Sequence, residues 1–219
     1  MQLTRQKLDL MNIVAWHDIQ NKITGLRGYV ELTKVITSDE EASAFIRCEE
    51  EILRKIHDEL QFTEEYQEIG MRVERWVNVA TAIARAVSEY DDETISVKLE
   101  IGSLEIFCDP ILRRMFTHLL DNSKKYCMVA PDIRVCHRET PDGLLLTYED
   151  NSTGIPENRK KGIFIRNVGK ANCYGLIFAH DLLELSGISI RETGIPGKGA
   201  RFEIVVPRGA YRFDSRSTD

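Results

Sequence analysis

The first 36 residues constrain the fold most strongly, because their apolar side chains recur at intervals of three and four. This spacing predicts a helix over 3–36 with one apolar stripe, made of Ile13, Trp16, Ile19, Ile23, Leu26 and Val30. His17 lies one residue past the stripe and Asn21 one turn further on, so both project from the same flank. Asp18 turns further toward water. Taken alone, this pattern is more typical of a solvated histidine than of a functional one.

A second long helix follows a short break. Ser38-Asp39-Glu40-Glu41 has the form of a capping box, which predicts a helix start at this point. Its expected core stripe extends to about residue 68 and contains Ala42, Phe45, Cys48, Ile52, Ile56, Leu60 and Thr63. Two such helices form an antiparallel hairpin with too little apolar surface to stand alone. Pairing two hairpins into a four-helix bundle buries both stripes, so we predict a homodimer through residues 1–70.

The sequence pattern changes after Ile69-Gly70-Met71 to short strands that alternate with helices. We predict a second domain over 71–208 and a polar tail over 209–219. Two of its strands, at 95–101 and 104–107, are expected to pair as a hairpin. The order of elements predicts an α/β sandwich whose mixed sheet is covered on one face by helices, so the whole chain belongs to the α+β class.

Charge and cysteine content narrow the function. The chain of 219 residues has a net charge of −6, which disfavours nucleic acid or an anionic membrane as a partner. Residues 1–70 hold 8 basic and 14 acidic residues, so the acidity lies in the hairpin. Five cysteines without C-x-x-C spacing predict reduced thiols in a cytoplasmic protein. Because no apolar run reaches 18 residues, we expect no membrane segment in this chain.

Three stretches of the second domain carry the residue types of a nucleotide site. The first stretch, His118 to Tyr126, lies on a predicted helix that Asp109 caps and that runs from Pro110 to about Cys127. Asn122 and Lys125 share a polar face of this helix, where they offer an amide oxygen for Mg²⁺ and an ammonium for phosphate oxygens. Asp150 ends a strand before Gly154 and can accept a hydrogen bond from an amino group. A polar helix face and a plain turn would also explain these two stretches. The third stretch runs from 172 to 187 and is followed by Gly199-Ala200-Arg201-Phe202.

These stretches and His17-Asp18-x-x-Asn21 resemble, in order and spacing, the N box, the two glycine boxes and the phosphoacceptor box of sensor histidine kinases. The resemblance covers nearly the whole chain. It implies a dimerisation and phosphotransfer hairpin followed by an ATP-binding domain of the type shared with gyrase, the Hsp90 chaperones and MutL. The residues it assigns to ATP are Asn122, Lys125, Tyr126, Asp150, Gly154, Gly175 and Leu176. Asn122 would also hold Mg²⁺. A lid over 157–174 would close over the nucleotide.

For the hairpin, the resemblance implies that His17 accepts the γ-phosphoryl group and passes it to an aspartate of a response regulator receiver domain. Asp18 can fix the imidazole tautomer and take its proton. The family also implies that Asn21 orients a water in the reverse, phosphatase reaction. The acidic hairpin is the expected docking surface for the regulator.

Four positions depart from the family pattern. His118 replaces the first asparagine of the N box, and glycines of the glycine boxes are replaced by Ser152, Ala171 and Cys173. These changes keep a second hypothesis open, a degenerate kinase that serves as a dimeric scaffold or phosphotransfer partner. A third hypothesis, an ATPase of the gyrase and Hsp90 type, is disfavoured because such an ATPase needs no exposed histidine next to Asp18.

Overall fold

In a computed structural model, the chain forms two compact units, 1–67 and 68–219. The structure describes the backbone of residues 2–37, 39–90, 94–165 and 173–214, and the side chains of these ranges from Ile19 onward. In these ranges, no helix is both long enough and apolar enough to cross a membrane.

The first unit is the predicted helical hairpin, with α1 at Gln2–Ile36 and α2 at Glu40–Gln67. Asp39 caps α2, because its Oδ1 atom accepts a hydrogen bond from the backbone N–H of Glu41 at 2.8 Å. The predicted capping residue, Ser38, lies outside the described residues. Among the described side chains, Ile23, Val30, Ile46 and Leu53 form a small core in the hairpin, with Leu60 packed against it.

Within one hairpin, the cluster that α2 forms with α1 shares only Leu60 with the predicted stripe. Ile46, Leu53 and Leu60 recur every seven residues and face α1, whereas Ile52 is 56% exposed and Phe45 is also exposed. Sequence spacing alone does not distinguish these adjacent stripes, since both repeat with a helical period. A single hairpin therefore buries one apolar stripe of α2 and leaves the other accessible.

The second unit contains eight described strands and four helices. In chain order they are β1 (Arg75–Asn78), α3 (Val79–Val87), β2 (Ser96–Glu100), β3 (Leu104–Cys108), α4 (Leu112–Tyr126), β4 (Asp132–Thr140), β5 (Gly143–Asp150), α5 (Glu157–Lys160), α6 (Tyr174–Leu185), β6 (Ser189–Glu192), β7 (Arg201–Pro207) and β8 (Tyr211–Phe213). The mixed sheet has the order β2-β4-β5-β7-β6, with β2 and β4 parallel and the other neighbours antiparallel. This confirms the predicted α+β fold class.

The expected pairing of β2 with β3 is wrong. The two strands diverge after the turn at Gly102: β2 joins β4 in the mixed sheet, while β3 pairs with β1 and β8 in a separate three-stranded sheet. Strand β8 lies where the sequence predicts a polar tail. The pairing was mispredicted because local alternation identifies a strand but not its partner.

The first turn of α4 is anchored to the start of the second unit. Asp109 is buried, and its Oδ1 atom accepts the N–H of Ile111 while its Oδ2 atom accepts the N–H of Gly70 at 3.1 Å. Helices α4 and α6 contact each other, and the central strand β5 is buried along almost its whole length. Helix α4 therefore contacts both α6 and, through the hydrogen bond from Ser123 to Asp150, the carboxyl end of β5.

Candidate functional site

Asp150, the last residue of β5, is held on three sides. Its Oδ1 atom accepts the backbone N–H groups of Ser152 at 3.0 Å and Ala200 at 2.8 Å. Its Oδ2 atom accepts the hydroxyl of Ser123, on α4, at 2.6 Å. The residue is only 9% exposed. A carboxylate with these donors is fixed in place, and one acceptor direction of Oδ2 remains for an amino group of a ligand.

Two glycines allow the backbone around Asp150 to close up. A Cβ atom on Gly199, at φ +116°, would lie 2.0 Å from the carbonyl oxygen of Asp150, and one on Gly154, at φ +68°, would lie 2.7 Å from the carbonyl oxygen of Gly199. Both positions therefore require glycine. The close approach at Gly154 is thus to the backbone of the chain itself.

Ser152 fits its position although the family pattern has glycine there. Its side chain is buried, and its Oγ atom accepts the N–H of Gly154 at 3.2 Å. Its own N–H donates to Asp150. The serine therefore supports the turn that carries Asp150 instead of crowding it.

The polar face of α4 contains three of the predicted residues. Asn122 is half-buried beside Ser123, whereas Lys125 and Tyr126 are exposed. The ammonium of Lys125 lies 5.5 Å from the ring centroid of Tyr126, within reach of a cation–π contact. An amide oxygen and an ammonium group thus lie on the same helix as the serine that contacts Asp150.

His118, one turn before Asn122, takes part in helix packing. Its ring lies 4.9 Å from that of Phe178 in a T-shaped arrangement. A Cβ atom on Gly175 would lie only 2.9–3.0 Å from the His118 side chain, so the imidazole occupies space that this glycine leaves on α6. The predicted site residue Gly175 therefore brings α6 close to α4.

The beginning of α6 collects positive charge. The helix starts at Tyr174, and Leu176 and Ile177 donate their N–H groups to the carbonyl of Cys173. Burial raises the pKa of Cys173, while the nearby charges of Lys125 and Arg159 act to lower it. Two cations therefore lie near the positive end of a helix dipole, which favours phosphate groups. Arg159 was missed by the sequence analysis because it belongs to none of the motifs.

The base of the predicted lid is fixed by a lysine. Lys160 lies on α5, and its ammonium contacts the carboxylate of Glu192 at 3.2 Å and the carbonyl oxygen of Gly194. The side chain of Glu192 is fully buried and also accepts the N–H groups of Gly194 and Arg201. The first part of the lid is thus tied to the β6–β7 loop. Residues 166–172 of the lid, which include Ala171, lie outside the described residues.

The predicted catalytic residues lie on α1. His17 and Asp18 fall within the span of this helix, but their side chains lie outside the described residues. Asn21 is exposed, one helical turn after His17.

Comparisons with known proteins agree with this geometry. Residues 109–210 match the family model of the histidine kinase-, DNA gyrase B- and HSP90-like ATPases. Over 91% of its length, the chain is 25% identical to the signal transduction histidine-protein kinase AtoS of Escherichia coli. Over 88% of its length, it is 27% identical to the alginate biosynthesis sensor protein KinB of Pseudomonas aeruginosa. The matched regions make up 34% and 36% of those proteins, so the chain spans about a third of the length of these relatives.

A solved structure shows the same fold across both units. Full-length ShkA in complex with AMPPNP superposes with a TM-score of 0.60 at 14% sequence identity. The match covers 93% of this chain and 46% of ShkA.

Proposed function

We propose that this chain, which belongs to the histidine kinase family, is the ATP-dependent phosphotransfer core of a two-component signalling protein. It would bind Mg-ATP, phosphorylate His17 and pass the phosphoryl group to an aspartate of a response regulator. The observation that carries the proposal is the buried, anchored carboxylate of Asp150 at the end of β5, which is hydrogen-bonded to the same helix, α4, that contacts α6.

In this proposal, the two parts of the site bind opposite ends of ATP. Asp150 accepts a hydrogen bond from the adenine amino group. The first turn of α6, at Gly175 and Leu176, together with Lys125 and Arg159, neutralises the phosphates. Tyr126 is expected at the rim of the same pocket. ShkA, which has this fold, was solved with AMPPNP, and this supports a nucleotide as the ligand.

Mg²⁺ suits the residues present, because it prefers hard oxygen ligands and takes few of them from protein. The amide oxygen of the half-buried Asn122 would hold the ion, and phosphates and water would complete its coordination. The ion would neutralise charge on the transferring group.

The acceptor side of the transfer is supplied by two residues of α1. A neutral imidazole nitrogen of His17 attacks the γ-phosphorus, forming the N–P bond as the bond to the leaving ADP oxygen breaks. The proton on the other ring nitrogen passes to the carboxylate of Asp18. In the subsequent step, the phosphoryl group moves from His17 to the regulator aspartate.

The exposed apolar residues of the hairpin support a homodimer through residues 1–70. Ile52 and Phe45 form an accessible stripe on α2, and Leu26 is exposed on α1. A second hairpin would bury these residues in a four-helix bundle. The acidic surface of that bundle would receive the receiver domain. We place this core in the cytoplasm, where ATP is available and where the five free cysteines stay reduced.

The first experiment compares the wild-type chain with His17→Gln after incubation with Mg-ATP labelled at the γ-phosphate. An acid-labile, base-stable label on the wild type alone would identify phosphohistidine and fix the acceptor. ATP binding should be the same in both proteins, since the substitution leaves the ATP-binding domain unchanged. A wild-type chain that binds ATP but takes up no label would instead indicate the scaffold or the conformational ATPase.

A phosphatase activity would depend on Asn21, which is exposed and one turn from His17. Asn21→Ala should leave autophosphorylation unchanged and slow the dephosphorylation of the regulator by about tenfold. An equal loss of both reactions would indicate damage to the helix instead of a water-orienting role.

A further inference from the structure

A chain of three buried polar side chains lies behind the proposed adenine site. The Ser123 hydroxyl lies 2.6 Å from Oδ2 of Asp150 and 2.9 Å from the hydroxyl of Tyr148. Ser123 and Tyr148 are almost completely buried. Tyr148 and Asp150 are two residues apart on β5, so their side chains point to the same face of the sheet, toward α4.

The direction of these hydrogen bonds follows from counting protons. Ser123 has one hydroxyl proton and three acceptors within reach, including the carbonyl oxygen of Leu119 at 3.1 Å. The carboxylate is the nearest of the three and carries charge, so it takes the proton. The Ser123 oxygen then has to accept from Tyr148, whose hydroxyl is the donor.

Tyr148 is a permanent donor. Burial raises the pKa of its phenol far above the usual value, so the hydroxyl keeps its proton throughout the physiological range. Because this proton points at the Ser123 oxygen, the Ser123 hydroxyl cannot turn away from Asp150 without placing two donors or two acceptors face to face. The arrangement of the three groups is therefore fixed in one direction.

We propose that Ser123 and Tyr148 are positioning residues that fix Asp150 as an acceptor and thereby select a base with an exocyclic amino group. The Ser123 hydroxyl fills one acceptor direction of Oδ2 and leaves the other for the ligand. Neither residue is expected to touch the nucleotide. This inference rests on the proposed ATP site, and its test separates the two.

The test measures the affinities of the full chain for ATP and for purine riboside triphosphate, which lacks the 6-amino group, by calorimetry. The wild type should prefer ATP. Ser123→Ala should weaken ATP binding about tenfold, because the carboxylate loses its alignment, and should change binding of the purine analogue by less than twofold. Tyr148→Phe keeps the packing and should weaken ATP binding about threefold. Like Ser123→Ala, it should change binding of the purine analogue by less than twofold.

Thr147→Val is the matched control, since it removes a hydroxyl from a buried residue of the same strand outside the Ser123 network. It should leave the ratio of the two affinities unchanged. An equal loss for both nucleotides in Ser123→Ala and Tyr148→Phe would overturn the inference and reduce these residues to packing roles. Unchanged ATP binding in both variants would also overturn it. A wild type that binds neither nucleotide would refute the ATP site itself.

Discussion

The hairpin and the ATP-binding domain differ in how much of their apolar surface a single chain buries. The domain buries its central strand β5 along almost its whole length and surrounds it with apolar side chains. Among its described side chains, the hairpin buries the apolar residues Ile23, Val30, Ile46, Leu53 and Phe62, and other apolar side chains on both helices stay exposed. Burial of apolar surface is the main source of stability. The described part of the hairpin buries less of it within one chain than the domain does, and in our proposal a second hairpin supplies the rest.

The glycines of the two units show the same contrast. In the domain, Gly199 is closed in by backbone atoms. In the hairpin, a Cβ atom on Gly25 or Gly28 would meet nothing within 4 Å among the described residues. The domain is thus sensitive to single added atoms at its site, whereas α1 is tolerant of them. Substitutions in each unit test this difference.

Gly199→Ala should have the largest effect. The new Cβ atom would lie 2.0 Å from the Asp150 carbonyl oxygen at a φ of +116°, so the strand end that carries Asp150 has to move. We expect the domain to lose about 4 kcal/mol of unfolding free energy, or roughly 10 °C in Tm for a unit of this size, together with ATP binding.

The chain has one tryptophan in each unit, Trp16 and Trp76, so Trp76 fluorescence in a Trp16→Phe background follows the domain alone. Gly197→Ala is the control, since this glycine has a positive φ but open space around it. It should cost only about 1 kcal/mol. A similar loss in both variants would show that backbone strain, and not the contact with Asp150, limits the site.

Adjacent residues of α2 should separate the two faces of the hairpin. Leu53 is 6% exposed and Ile52 is 56% exposed. Leu53→Ala should lower hairpin stability by about 3 kcal/mol through the cavity it leaves.

Ile52→Glu should weaken the dimer roughly a hundredfold by placing a charge in its apolar interface, while the Tm of the ATP-binding domain stays the same. Sedimentation velocity over a range of concentrations measures the dimer. An Ile52→Glu chain that remains dimeric at low concentration would place the interface elsewhere.

The sequence predicts best what depends on neighbouring residues. The helical span of α1 and the position of Asp150 at a strand end follow from local patterns, and the structure agrees with both. Of the predicted α1 stripe, Ile19 and Leu26 are exposed within one hairpin. Long-range pairing was not predictable, since the alternation in β2 and β3 says nothing about their partners. The link between Ser123 and Tyr148 was missed for the same reason, because the two residues are 25 positions apart and Tyr148 belongs to none of the quoted motifs.

Gly28→Ala should have the smallest effect and the opposite sign. Alanine loses less backbone entropy than glycine in a helix, which stabilises an exposed position by about 1 kcal/mol. Gly28 is exposed, so the hairpin should become more stable, as measured by Trp16 fluorescence in a Trp76→Phe background. A destabilised Gly28→Ala hairpin would mean that a partner chain approaches α1 closely at this glycine. In that case α1, like the domain, would have a position that requires glycine. Its tolerance of an added Cβ atom would then hold only for the single hairpin.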